Sequence, residues 1–187
     1  MSFFNQKLLD EVLSILGQLL LDRNEHYEVV AIGGGGLLLL GLIDRPTRDL
    51  DLVACIDKGR LIPANPLPQS LLQAIKEVGV TLRLGELWID SRPWQLFEMG
   101  LPAGFESRWS TMQYGGLTLH LAGRFDQICF KLYAAVDQGP DSKHFSDLKL
   151  LKPTKSELEQ AERWCRTHDV SEGFALEMQE IKAMFGG

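Results

Sequence analysis

Asp49 and Asp51 are the residues of this sequence whose type and spacing are best suited to chemistry. They are separated by one residue at the start of an apolar stretch, Asp49 to Ile56, that predicts a β-strand. Side chains alternate along a strand, so both carboxylates should share one face while Leu50 and Leu52 point into the core. Two adjacent carboxylates repel each other unless a cation lies between them. Hard oxygen ligands select Mg²⁺ or Mn²⁺, so we expect Asp49 and Asp51 to hold one of these metals.

A run of glycines lies upstream of the two aspartates. Gly33 to Gly36 directly follow a short β-branched stretch, Glu28 to Ile32, that predicts a strand. Glycines at such a position let backbone amides approach a phosphate without a Cβ atom in the way. Leu37 to Leu42 predicts a short buried helix closed by Gly41, and its N-terminus would direct N–H groups at the same place. The run therefore predicts a phosphate-binding turn.

Each of these features has a structural explanation when it stands alone. A glycine run after a strand often forms only a tight turn, and Asp-x-Asp at a strand edge is often a solvated pair. Arg45 and Thr47 stand immediately before the aspartates, and the combination favours function. We therefore expect the segment from Val29 to Ala54 to bind a nucleoside triphosphate (NTP) together with a divalent metal.

The rest of the sequence predicts the elements that position this segment. Helical spacing of apolar residues predicts a helix from Leu8 to Leu20, and Gly116 to Leu121 alternates as a strand does. The stretch from Thr81 to Arg108 has no clear period and predicts a long surface excursion with one strand near Leu82–Leu84. Thr154 and Glu157 have the spacing of a capping box. Further helices are predicted at Ser70–Val78, Phe125–Val136, Thr154–Cys165 and Ser171–Phe185, with a loop at Pro63–Pro68.

This order of elements predicts an α+β fold, in which a small mixed sheet is flanked by helices and followed by a helical C-terminal region. We expect residues 1–151 to form the core and residues 152–187 to form a helical extension packed on it, as a single structural unit. The three cysteines are odd in number and far apart, so we expect buried or free thiols rather than a disulfide framework.

Composition and charge narrow the functional classes. The chain is 45% hydrophobic and 24% charged, as in an ordinary soluble globular protein. Its formal net charge of -6 argues against broad charge-driven binding to nucleic acid, although a local basic groove is compatible with it. No apolar run is long enough to cross a bilayer and the N-terminus lacks the shape of a signal peptide, so we expect a cytoplasmic protein without a membrane partner.

The glycine and aspartate motifs together resemble the signature of the DNA polymerase β-like nucleotidyltransferase superfamily. The resemblance is greatest to the AbiEii-type branch and to small stand-alone bacterial proteins related to it. Their pattern is roughly GG-x-A-x(4)-G-x(3)-R-x-T-x-D-x-D, with Gly36 here at the position of the alanine. A second, weaker match is the segment from Asp141 to Leu151, preceded by Lys131 in a predicted helix. The first pattern is met by Gly33, Gly34, Gly41, Arg45, Thr47, Asp49 and Asp51.

The resemblance implies a metal-dependent transfer of a nucleotide from an NTP to an acceptor. It implies that Asp49 and Asp51 hold the metal and are catalytic, and that Lys131 neutralises phosphate charge while Asp147 orients or activates the acceptor. Gly33, Gly34, Arg45 and Thr47 would bind the nucleotide.

The branch also suggests what the acceptor and the partner are. Some of its members act as the toxin of a toxin–antitoxin pair, with transfer RNA as one acceptor. An RNA acceptor and a cognate antitoxin protein are therefore expectations for this chain.

Several of these residues also have a structural interpretation. Lys131 is equally well explained as an exposed residue of a polar helix stripe with Arg124 and Gln127, and Asp147 as part of a polar helix face.

Many members of the superfamily use a third carboxylate, and the sequence does not show where it lies here. The strand Leu117–Leu121 carries Thr118 and His120 but no acid, and a lone strand histidine is more often a hydrogen-bonded structural residue. Asp126 is best explained as an acid near a helix N-terminus. Asp90 follows Leu87-Trp88-Ile89, a segment similar to one in the stand-alone relatives, without an evident role.

Two alternatives to an active enzyme follow. One is a catalytically inactive relative that acts as a nucleotide sensor or protein-binding partner, for which the missing third acid is the motive. The other is a dinucleotide-binding module, because Gly34-x-Gly36 after a strand faintly resembles the Rossmann turn; an all-parallel sheet would favour it.

Overall fold

The computed structural model describes residues 3–85 and 87–186, and within these ranges the chain alternates helices and strands before ending in helices only. The strands are β1 (Tyr27–Ile32), β2 (Leu50–Asp57), β3 (Arg60–Pro63), β4 (Ile89–Asp90), β5 (Ser110–Tyr114) and β6 (Leu117–Leu121). The helices are α1 (Gln6–Asp22), α2 (Gly33–Leu39), α3 (Gln69–Thr81), α4 (Trp94–Met99), α5 (Arg124–Gln138), α6 (Lys143–Leu151), α7 (Lys155–His168) and α8 (Glu172–Ala183), with a 3₁₀ turn at Phe105–Ser107.

The strands of the described residues form one mixed sheet in the order β3-β2-β1-β6-β5. β1 runs antiparallel to β2 and parallel to β6. The short strand β4 pairs in parallel with the first residues of β2, while β3 pairs with its last residues. The α+β class and the mixed sheet are thus confirmed, and the antiparallel pairs remove the support that an all-parallel sheet would have given a dinucleotide-binding module.

The chain divides into two compact units. The first consists of the chain up to Leu101 together with Glu106–Ala122, and it contains the sheet. The second consists of Pro102–Phe105 together with the chain from Gly123 onward. The predicted helical C-terminal region is confirmed, and the expected division between residues 1–151 and 152–187 stays a prediction.

In the first unit, α1 supplies much of the core. Leu9, Leu13, Leu16 and Leu20 are fully buried, a spacing that places them along one face of the helix. Asn5 caps the helix, because its side chain accepts a hydrogen bond from the N–H of Leu8 at 2.8 Å. The cap fixes where the helix begins, and the buried face holds it against the rest of the unit.

In the second unit, helix ends are set by side-chain caps. The Thr154 hydroxyl accepts from the N–H of Glu157 at 3.2 Å, and the Glu157 carboxylate accepts from the N–H of Thr154 at 2.8 Å. The predicted capping box is therefore confirmed. The side chains of Ser142 and Ser171 cap α6 and α8 by accepting from the N–H of Phe145 and of Phe174, and α5 packs against the other three helices.

The region from Thr81 to Arg108 differs in part from the prediction. Most of its described residues are exposed or half-buried, as in the predicted surface excursion, but Leu84, Trp88 and Phe105 are buried. No strand forms at Leu82–Leu84, where the chain leaves α3; the strand of this region is β4. The apolar residues here are held by contacts with distant elements and so have no period that a sequence pattern could reveal.

The helices and the cysteines bear on the predictions about membranes and thiols. Among the described residues, no helix combines the length and apolar character needed to cross a bilayer. Cys55, Cys129 and Cys165 are buried thiols, as their number and spacing predicted.

Candidate metal and nucleotide site

The turn after β1 brings Gly33 against Asp51. Gly33 has a φ of +73°, and a Cβ atom at this position would lie 2.2 Å from Asp51 Oδ2. Glycine is therefore required twice, by the left-handed backbone and by the close approach of the carboxylate. The register explains the contact, because Ile32 at the end of β1 pairs with Asp51 of β2.

Gly34 lies close to two other predicted nucleotide-binding residues. A Cβ atom at Gly34 would lie 3.1 Å from Thr47 Oγ1 and 3.4 Å from Arg45 Nη2. Arg45 is half-buried and Thr47 is buried. The structure thus brings the glycine pair, a hydroxyl and a guanidinium to one small region beside Asp51.

Gly35 has a packing role. A Cβ atom there would lie 2.9 Å from the carbonyl oxygen of Asp49 and 2.8 Å from a methyl group of Leu50. The glycines therefore form the first turn of α2 against the start of β2, and the prediction that the helix begins at Leu37 is wrong. It begins at Gly33, because close packing on β2 accepts only residues without a side chain.

Thr47 is fixed by the chain on both sides. Its backbone exchanges hydrogen bonds with Phe4, at 2.7 and 3.0 Å, and its hydroxyl donates to the carbonyl oxygen of Asp49 at 3.2 Å. The short bridge to Phe4 ties the segment before β2 to the start of the chain. The loop that carries Arg45 and Thr47 is thereby held in place before the two aspartates.

Asp90 joins the two predicted metal ligands. On β4 it is the register partner of Asp51, and side chains at paired positions of parallel strands project from the same face. One carboxylate oxygen from each of Asp49, Asp51 and Asp90 lies within 4.8 Å of the others. Asp49 and Asp51 are half-buried and Asp90 is buried. Three carboxylates this close form an oxygen donor set that fits Mg²⁺ or Mn²⁺.

Trp88 holds β4 in register with β2. Its side chain is 1% exposed, and its Nε1–H donates to the carbonyl oxygen of Ile75 at 2.9 Å. Its own carbonyl oxygen accepts from the N–H of Leu50 at 2.9 Å, and its ring lies 6.3 Å from that of Phe4. These contacts anchor the residue two positions before Asp90 to the core.

Arg92 neutralises part of the cluster. Its Nε lies 2.7 Å from Asp90 Oδ2 and 3.0 Å from Oδ1, and its backbone N–H donates to Oδ1 at 2.9 Å. The pKa of the guanidinium is raised by its hydrogen bond to Asp90, by the charge of that carboxylate, and more weakly by Asp49 and Asp51. The Arg92 guanidinium therefore provides a positive charge on the solvent side of the carboxylate cluster.

Lys131 and Asp147 are paired within the second unit. Lys131 Nζ lies 2.7 Å from Asp147 Oδ2, and both side chains are buried. The interpretation of Lys131 as an exposed residue of a polar stripe is wrong, because Gln127 is buried as well. Asp147 likewise does not lie on an exposed helix face. The catalytic roles of both residues stay predictions.

His120 and Asp126 agree with their structural interpretations. His120 Nδ1 lies 2.9 Å from Thr111 Oγ1 and its ring stacks on Trp109 at 4.4 Å. It belongs to β6, which pairs with β1 and β5 and not with β2. Asp126 lies in the first turn of α5 and is buried.

Asp90 is the member of the carboxylate cluster whose place the sequence did not reveal. The strand that the sequence offers for such an acid is Leu117–Leu121, which forms β6 and carries none, whereas the strand beside β2 at this level is β4. The available signal was the apolar run Leu87-Trp88-Ile89, which is typical of a buried strand and ends directly in Asp90.

Comparisons of this chain with models of protein families, with curated proteins and with solved structures gave no match.

Proposed function

We propose that the protein is a metal-dependent nucleotidyltransferase that moves a nucleotide from an NTP to an acceptor. The observation that carries the proposal is the convergence of Asp49, Asp51 and Asp90 on one point beside Gly33. Carboxylate clusters of this kind repel themselves unless a cation is bound.

The carboxylates would hold Mg²⁺ or Mn²⁺, which supplies positive charge to the attacking and leaving oxygens of an in-line displacement at phosphorus. The chain's own contribution is a rigid frame. Asp51 and Asp90 are fixed by the pairing of β2 with β4 and Asp49 by the loop that Thr47 ties down, so the donor oxygens need little reorganisation.

Gly34 is the point at which two donors for a phosphate oxygen come together. The Arg45 guanidinium and the Thr47 hydroxyl border it, and a guanidinium forms strong charge-assisted hydrogen bonds with phosphate. Gly33 and Gly34 are buried, and their lack of side chains lets Asp51, Thr47 and Arg45 approach them closely. These four residues are therefore proposed to bind the triphosphate.

In the reaction, one bond forms and one bond breaks at the α-phosphorus. The acceptor hydroxyl oxygen bonds to the α-phosphorus, while the bond between the α-phosphorus and the α,β-bridging oxygen breaks. Pyrophosphate leaves with the bonding electrons, and the hydroxyl proton passes to water. Lys131 is proposed to neutralise phosphate charge, and Asp147 to orient the acceptor.

The acceptor and the partner follow from the resemblance. We propose an RNA acceptor, a cytoplasmic site of action and a cognate antitoxin protein. The alternative of an inactive nucleotide sensor rests on a missing third acid, which we propose that Asp90 supplies.

The test is a calorimetric titration of the protein with MnCl₂ and each of the four NTPs. We expect binding by the wild type and its loss in Asp49→Asn and Asp51→Asn. Asp57→Asn, an exposed aspartate at the far end of β2, is the matched control. No binding, or equal binding by all variants, sinks the proposal. Transfer of label from an α-³²P-NTP to RNA then separates an enzyme from a nucleotide sensor.

A further inference from the structure

A pocket of about 660 Å³ opens beside the carboxylate cluster. Its lining comes mainly from α3, from Gly85 and from described residues between Leu87 and Arg92, and Asp90 forms part of its wall. Its volume is within the range of roughly 300–1,000 Å³ that small-molecule sites occupy. A ligand held there therefore lies next to one of the proposed metal ligands.

The lining of the pocket is largely apolar. Ile75 and Ile89 are buried contributors, whereas Val80 and Leu87 at its edge are 79% and 51% exposed. Exposed apolar side chains around a concave surface lose contact with water when a ligand covers them. This part of the pocket suits the flat faces of a ring system.

The charges of the lining select an anion. Lys76, Arg83 and Arg92 contribute three cations, and Asp90, which Arg92 holds, is the carboxylate among the described lining residues. This local excess of positive charge contrasts with the net charge of -6 of the whole chain. Lys76 and Arg83 are both exposed, so their nitrogens can reach a phosphate without the cost of desolvating a buried cation.

We infer that this pocket binds the acceptor of the transfer, and that the acceptor group is a nucleotide. Its base lies against the apolar lining, its phosphate contacts Lys76 and Arg83, and its ribose faces Asp90. The role of acceptor rests on the proposed function. The binding of a nucleotide at Lys76 and Arg83 does not depend on it. A free nucleoside monophosphate and the 3′-terminal nucleotide of an RNA present the same chemistry.

The first experiment measures binding without metal. AMP, CMP, GMP and UMP are titrated into the full-length protein in EDTA, followed by short RNAs ending in a 3′-hydroxyl. We expect at least one of these ligands to bind, and Lys76→Ala/Arg83→Ala to weaken it roughly tenfold or more. Lys7→Ala/Arg60→Ala removes two exposed cations of the same unit outside this pocket and should change binding less than about twofold. Monophosphates that bind as tightly as the RNAs identify a free nucleotide as the ligand, and RNAs that bind much more tightly identify the 3′ end.

The apolar contact has its own matched pair. Val80→Asp places a carboxylate at the edge of the pocket, and Val170→Asp does the same at a valine of 78% exposure in the second unit. We expect only Val80→Asp to weaken nucleotide binding. Failure of every ligand to bind, or equal effects of test and control variants, overturns the inference.

The second experiment assigns the role. In a transfer assay, Lys76→Ala/Arg83→Ala should raise the KM for the acceptor and leave the KM for the NTP unchanged. A raised KM for the NTP instead shows that the pocket holds the donor, and overturns the assignment. If the wild type binds no metal–NTP, the proposed function fails, but binding of nucleotide in EDTA still reports on the pocket, so the two failures are distinguishable.

Discussion

Asp51 and Asp90 stand at paired positions of two adjacent parallel strands, β2 and β4. The pairing converts the Asp49–Asp51 motif, which is local in sequence, into a cluster of three carboxylates. It depends on Trp88, whose buried ring and two hydrogen bonds fix β4. The carboxylate cluster is therefore a product of core packing as much as of the motif.

The first prediction concerns Asp90→Asn. The amide keeps the shape of the side chain but removes one negative charge from the donor set, so Mn²⁺ affinity should fall about 10- to 100-fold. Isothermal titration with MnCl₂ measures the effect, and Asp57→Asn should bind as the wild type does. An unchanged affinity in Asp90→Asn would exclude it as a ligand.

The second prediction separates backbone strain from ligand geometry at Gly33. Gly33→Ala and Gly59→Ala both place a side chain at a positive φ, +73° and +75°. We expect a cost of about 1–2 kcal/mol in unfolding free energy from that conformation alone. Only at Gly33 does the new Cβ meet Asp51, because nothing lies within 4 Å of it at Gly59.

Urea denaturation and metal titration of the two alanine variants test this difference. Gly33→Ala should lose metal affinity, since the carboxylate must move away from the added methyl group. Gly59→Ala should lose stability only. Equal metal affinity in the two variants would contradict a role for the close approach of Gly33 to Asp51.

These residues show how far the sequence could predict the site. Asp49 and Asp51 were predictable because they stand one residue apart at the start of a strong strand, although β2 begins at Leu50 and Asp49 lies in the loop before it; Arg45 and Thr47 were predictable because they adjoin them. Asp90 was not, because a strand of two residues has no period and its partner is distant in the chain. The burial of Lys131 with Asp147 was also invisible, since it depends on how the helices of the second unit pack.

The third prediction concerns Arg92, which holds Asp90 from the solvent side. Arg92→Ala removes a cation that competes with a metal for the carboxylate, so Mn²⁺ affinity should rise by roughly twofold to fivefold. Because exposed charges are screened, the gain should shrink as the salt concentration is raised. Titrations of wild type and variant at low and high NaCl measure both effects; a lower affinity in the variant would show that Arg92 supports the site.

The fourth prediction concerns the buried pair of Lys131 and Asp147. Lys131→Met or Asp147→Leu breaks the buried ion pair by removing one of its members, which should cost about 3–5 kcal/mol in unfolding free energy. The double variant removes both charges of the pair, so it should be more stable than either single variant. Urea denaturation of the four proteins gives the coupling energy directly.

The double variant also tests the proposed catalytic roles, because it keeps the fold while it removes both polar groups. If Lys131 and Asp147 act on phosphate and acceptor, the stable double variant should bind Mn²⁺ at the Asp49–Asp51–Asp90 cluster as the wild type does but should lose transfer activity. If the pair only stabilises the helices of the second unit, transfer should persist in the double variant and fall in the single variants in proportion to their unfolded fraction. The comparison therefore separates catalysis from stability without relying on variants that fail to fold.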